Sequence, residues 1–158
     1  MAIEGIVTPA PYPARMAAGT RNNGPAVELG PLEAGGIAPS VFAMAERGAA
    51  LRPATARELH GTVEIRFTQR FAPVRLTFEG KRIVVGDAPP GRSPQPPDLV
   101  IRGSLPDIVQ LVSVPLMGGV PRPTGPRGRA ALASVTSGRV QIEGSRKLAR
   151  NLLKLLEI

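Results

Sequence analysis

Between Val63 and Val85 the sequence adopts a hydrophobic period of two, and this limits the possible folds more than any other feature. Val63, Ile65 and Phe67 alternate with Thr62, Glu64, Arg66 and Thr68, and Val74, Leu76 and Phe78 alternate with Arg75, Thr77 and Glu79. Ile83 and Val85 resume the pattern after the tight connection Glu79-Gly80-Lys81. Because successive strand side chains point to opposite faces, each stretch predicts a half-buried strand with one wet face. Three of them joined by short connections predict an antiparallel meander. Residues 87–97 carry five prolines and predict an extended loop, after which Leu99-Val100-Ile101 predicts a fourth strand. Arg139–Glu143 predicts a fifth. On this phasing Val63, Ile65, Phe67, Leu76, Phe78 and Ile142 share the covered face, while Glu64, Arg66, Arg75 and Glu79 face water.

The period changes to that of helices on either side. Pro39-Ser40 offers a cap before a stripe of Val41, Met44, Ala45, Ala49 and Leu51, and Ala54–Leu59 predicts a further turn. Ser104-Leu105-Pro106-Asp107 reads as a helix start, with Ser104 as cap, Pro106 in the first turn and Asp107 as the acid three residues on. Ile108, Leu111 and Val112 give that helix its apolar face. A Pro/Gly/Arg loop follows over 114–128, then a short helix Ala130–Thr136. Gly144-Ser145 turns the chain into a last helix in which Leu148, Leu152, Leu155 and Leu156 recur at helical spacing. Lys147, Arg150 and Lys154 fall where they meet solvent or anionic headgroups. Residues 1–37 hold five prolines and six glycines with almost no periodicity. They read as an irregular arm, with Ile3–Val7 and Ala26–Leu29 each able to add a short edge strand and no group expected to touch a ligand.

Composition removes much of the enzyme repertoire. The chain has no cysteine, which excludes disulfides, thiolate catalysis and cysteine metal sites, and a single histidine, His60, which excludes multi-histidine metal sites. No apolar run is long enough to span a bilayer and no signal peptide is visible at Met1–Gly5, so the expectation is a cytoplasmic protein without cofactor or metal. Glu64 and Glu79 both face water on this phasing, which argues against paired-carboxylate catalysis. Twenty basic against twelve acidic residues give a net charge of +8. That surplus admits transient contact with an anionic membrane surface. Nucleic acid is disfavoured, because the bases are scattered and only five residues are aromatic.

Four local features, taken in order, resemble the sterol carrier protein type-two family of lipid-binding domains. They are the meander Gly61–Val85, the strand and capped helix Pro97–Ile108, the glycine-bracketed strand Ser137–Gly144 and the leucine-rich closing helix Ser145–Leu156. The resemblance covers residues 38–158, and leaves 1–37 outside as the Pro/Gly-rich arm. It implies an α+β fold, a five-stranded antiparallel sheet covered by helices, that encloses an apolar tunnel for a lipid or fatty acyl chain without metal or catalytic residue. The proline-rich 87–97 and the Pro/Gly/Arg loop 115–129 depart from the family pattern.

Only inward strand residues and the helix stripes can wall such a cavity. The candidates are Phe67, Phe71, Phe78, Leu111, Leu116, Met117, Leu132, Leu152 and Leu155, with Leu116 and Met117 beside Gly118-Gly119 in a loop able to gate an opening. The competing reading is that all nine simply pack against one another. Two functions follow: non-enzymatic binding or transfer of a lipid, acyl chain or isoprenoid, or an accessory module that assists a lipid-modifying enzyme and carries no ligand. The arm also admits a homodimer.

Overall fold

Strand β2 (His60–Phe67) lies near the centre of the sheet and organises it. The computed structural model describes residues 24–32, 36–88 and 95–157. β3 (Val74–Glu79) pairs antiparallel with β2, and β4 (Arg82–Asp87) antiparallel with β3, which is the meander the two-residue period predicts. Val63, Ile65, Leu76 and Phe78 are all buried in one core cluster, and Phe67 and Ile142 pack half-buried against it.

The expectation of five antiparallel strands is corrected in two respects. The sheet has six strands in the order β1-β4-β3-β2-β5-β8, and it is mixed. β5 (Leu99–Gly103) pairs parallel with β2, from Val63 opposite Leu99 to Phe67 opposite Gly103. β2 and β4 run the same way, so the connection from Asp87 to Leu99 must return the chain to the opposite end of the sheet, and β5 then runs with both of them. The sixth strand, β1 (Ala26–Leu29), comes from the stretch read as an arm and pairs parallel with β4 at the edge. Arg82 donates to Glu28 at 3.0 Å across that pair. Ile3–Val7, the other possible edge strand, lies outside the described residues.

Helices α1 (Ala38–Leu51) and α2 (Pro53–Glu58) precede β2. α1 begins at Ala38 with Ile37 at its cap position and no side-chain cap, so Pro39-Ser40 lies inside its first turn rather than before it. α3 (Leu105–Val112) starts as its sequence predicts: Ser104 accepts from the Asp107 amide at 3.2 Å and donates to the Asp107 carboxylate at 2.7 Å. The segment read as a loop over 114–128 contains a two-residue hairpin, β6 (Leu116–Met117) and β7 (Val120–Pro121). α4 (Pro126–Thr136) begins four residues before the expected Ala130, because Pro126 is tolerated in a first turn where no intrahelical donor is needed. β8 (Gln141–Gly144) pairs with β5, two residues later than its expected start, since Val140 is tied back to the Ser134 carbonyl.

α5 (Arg146–Leu156) closes the domain. Ser145 accepts from the Leu148 amide at 3.2 Å, and Leu148, Leu152, Leu153, Leu155 and Leu156 are all buried. At about 1.5–3 kcal/mol for each fully buried leucine, this face makes the helix a major contributor to the core. Glu64 departs from the phasing in burial rather than direction. It lies on the face away from the core, yet is only 8% exposed. Its neighbours Arg75 and Val100 flank it on both sides, and Arg66 donates to it at 2.6 Å.

Candidate functional site

Where helices of unlike width cover a sheet, a gap opens wherever the widest stripes fail to meet. α1 is rich in small residues, and its Gly48 lies directly on the Leu155 carbonyl, so α1 and α5 approach closely. α3 packs on α4 and on α5, and α1 and α3 approach each other less closely. The space between them is a pocket of about 250 Å³.

Each wall comes from a different element. Ile37, Ser40, Val41 and Met44 line it from α1 and its cap, and Leu105, Ile108, Val109, Leu111 and Val112 from α3. Ile65 and Phe67 of β2 with Ile101 of β5 form the floor, and Leu152, Leu153 and Leu156 of α5 the back. Ser40 is the single polar lining residue, and it is exposed. Val109, 46% exposed, stands across from it on α3, so the mouth lies between the first turns of α1 and the body of α3.

Of the nine residues singled out from the sequence, Phe67, Leu111 and Leu152 line this pocket. Phe71 stacks edge-on against Phe67, with ring centroids 6.0 Å apart, and backs the wall rather than forming it. Phe78 and Leu155 are fully buried in the solid core, and Leu132 is half-buried on α4, away from the lining. Leu116 is half-buried with its amide donating to Glu157 at 3.1 Å, and Met117 is 58% exposed. Neither lies in the pocket lining. Ile37, from the stretch expected to carry no ligand-contacting group, lines the pocket from the cap position of α1. Val41, Met44, Ile65, Ile108 and Val112 were all legible as apolar stripes, whereas Ser40, read as a cap, lines the pocket from inside the first turn. The sequence signal for a stripe is the same whether its residues meet a partner or a void.

The polar groups sit elsewhere. Asp107 joins α3 to α4: it accepts from Ser104, its Oδ1 lies 3.2 Å from the Ser134 hydroxyl, and Arg139 donates to Ser134 at 3.1 Å. The Ser104 hydroxyl holds the Asp107 carboxyl below the usual aspartate range, partial desolvation opposes this, and Ser134 and Arg139 reinforce it. His60 is exposed, with Nδ1 3.2 Å from the Glu58 carbonyl. The strand register sets Glu79 opposite His60 and Glu64 opposite Arg75, so the two carboxylates stand apart along the ladder. Among the described residues, no three His, Cys, Asp or Glu side chains could together hold a metal ion, and no helix is long and apolar enough to cross a membrane.

Among solved structures, the chain is similar to the UbiJ-SCP2 ubiquinone synthesis protein, at 16% identity and a TM-score of 0.50 over 77% of this chain and 85% of that one. The fold is of the sterol carrier type two. Further sterol-carrier structures align less closely. The sterol carrier protein domain 2 of Helicoverpa armigera matches at 16% identity and a TM-score of 0.45, over 73% of this chain and 84% of that chain. The palmitated sterol-carrier-like protein SCP2L2 of Aedes aegypti matches at 13% identity and a TM-score of 0.43, over 75% and 91%. No family model matches the sequence, and no curated protein is detectably similar to it. At such identities the likeness is one of fold.

Proposed function

We propose that this domain binds or transfers a lipid, acyl chain or isoprenoid, without catalysis, in the pocket between α1, α3 and α5. The observation that carries the reading is the lining: every wall residue is apolar except Ser40, which stands exposed at the mouth. A ligand that suits this is a hydrocarbon chain with one polar end, the chain inside and the end beside the Ser40 hydroxyl. The sterol-carrier-type fold, shared with a ubiquinone synthesis protein, supports the same class of ligand.

Magnitudes favour exchange over storage. At roughly 30 Å³ for a methylene, about the share of a water molecule, the pocket accepts a chain of about eight carbons. Burying them gains about 6 kcal/mol at ~0.8 kcal/mol each. Before the cost of immobilising the ligand, that corresponds to a dissociation constant on the order of tens of micromolar. A longer chain fits only by extending through the mouth or by parting α1 from α3.

Native mass spectrometry of the protein purified from cells tests the reading. A mass increment matching a lipid, acyl chain or isoprenoid, released by organic solvent, is the expected result. A protein that stays empty, and stays empty after incubation with fatty acids, would leave only the accessory reading standing.

A further inference from the structure

The net charge is concentrated in one stretch. Between Ile108 and Leu156 the chain carries eight Lys and Arg against the single acid Glu143, while the whole chain has a net charge of +8. Within that stretch the β6–β7 hairpin presents Met117 and Val120, which are 58% and 48% exposed. Gly118 and Gly119 form its two-residue turn with φ of +64° and +83°, a conformation that glycine alone takes readily at both positions.

The hairpin is held, not dangling. Gly119 is buried against Arg150, where an added Cβ would come within 2.9 Å of the arginine Cβ, and the Leu116 amide donates to Glu157 at 3.1 Å. Arg150 and Lys154 are exposed one helical turn apart on α5. Arg122 follows β7 directly, and Gly128 of α4, which lies between Arg127 and Arg129 in sequence, packs on its carbonyl. All five cations are exposed, and among the described residues none has a carboxylate within ion-pair distance.

We propose that this hairpin and the cations around it dock the protein onto the surface of an anionic phospholipid bilayer, with Met117 and Val120 entering the boundary between headgroups and acyl chains. The pairing of an apolar tip with a basic collar is what an anionic bilayer surface complements, since it offers an apolar phase directly beneath phosphate charge. Nucleic acid would satisfy the cations alone. It has no place for Met117 and Val120, and residues 108–156 contain no aromatic side chain on which a base could stack. None of these residues lines the pocket, so the docking surface stands or falls apart from the ligand reading.

The test is co-sedimentation of the full chain with vesicles of phosphatidylcholine alone and of phosphatidylcholine with about 30% phosphatidylglycerol, at about 0.1 M and 0.5 M salt. The expected result is binding to the anionic vesicles only, weakened at high salt. R150Q/K154Q should weaken it about 25-fold, at roughly fivefold for each cation removed. M117S/V120S should weaken it at least tenfold, by loss of the apolar insertion. All four positions are exposed, so both variants should melt with the parent protein. The chain has no tryptophan, so V120W supplies a single reporter, whose emission should shift to the blue and be quenched by brominated lipid when anionic vesicles are added. The proposal is overturned if the parent does not bind anionic vesicles, or if M117S/V120S binds them like the parent. It is also overturned if the V120W emission does not respond, or if duplex DNA is bound more tightly than vesicles at equal salt.

Discussion

Gly48 of α1 rests on the main-chain carbonyl of Leu155 in α5, so closely that a Cβ at position 48 would overlap the oxygen. This one contact sets the distance between two helices that wall the pocket, with Val41 and Met44 on one and Leu152 and Leu156 on the other. In an ordinary helix interior, Gly→Ala stabilises by about 1 kcal/mol. Here the neighbour is backbone and cannot turn aside. Gly48→Ala should therefore destabilise by about 1–3 kcal/mol, as overpacking does, and urea unfolding should show the sign. A stabilised variant would mean that α1 can move off α5 without loss.

The Asp107 cluster gives a pH dependence with a definite sign. Its carboxyl is held below the ordinary aspartate range in the folded state, chiefly by Ser104. The stabilisation is therefore complete above the unfolded-state value and lost as pH falls through the folded one. Melting temperature should drop on the acid side, as pH falls through and below the ordinary aspartate range. Asp107→Asn should show a shallower drop there and a lower melting temperature at neutral pH. Equal acid profiles for the two proteins would remove Asp107 from the α3–α4 contact.

Two buried leucines separate solid core from pocket wall. Leu76 lies at the centre of β3, outside the pocket lining, and Leu152 lines its back. Leu76→Ala should cost about 2–5 kcal/mol and leave the affinity for a fatty acid in the surviving folded protein unchanged. Leu152→Gln places an amide in the pocket wall and should lower fatty-acid occupancy more than it lowers stability. Thermal melts with a fluorescent fatty-acid titration on both variants read the difference. Parallel losses in the two would place Leu152 in the solid core as well.

How much of this was legible in the sequence follows from what each pattern encodes. Alternation at Val63–Phe67 and Val74–Phe78 fixes which side chains face inward, and they do. It carries no information about direction, so the parallel pairing of β5 with β2 was invisible. Ser104 and Ser145 announced their helices because a cap is local chemistry between residues three apart. Pro126-Arg127-Gly128 read as loop, yet it opens α4, and the glycine is needed where the helix meets the Arg122 carbonyl. The site was less legible for a related reason. Phe78 and Leu155 looked like cavity walls because they are large, but both pack solidly. Phe67, Val41, Ile65 and Ile101 line the pocket instead, because a void depends on how α1 and α3 are spaced, which is a relation between elements distant in sequence.

The most direct test of the central claim is to fill the pocket without disturbing the core. Met44 is half-buried and Val109 exposed, and both line the pocket, so M44W/V109W places two indoles in the space between α1 and α3. In a fluorescent fatty-acid titration the parent should bind with a dissociation constant on the order of tens of micromolar or weaker, once the cost of immobilising the ligand is included. M44W/V109W should lose that binding at least tenfold while its melting temperature stays close to the parent's, and M117S/V120S should bind like the parent. A filled variant that binds the probe as well as the parent does, or a parent that binds none, would contradict the account.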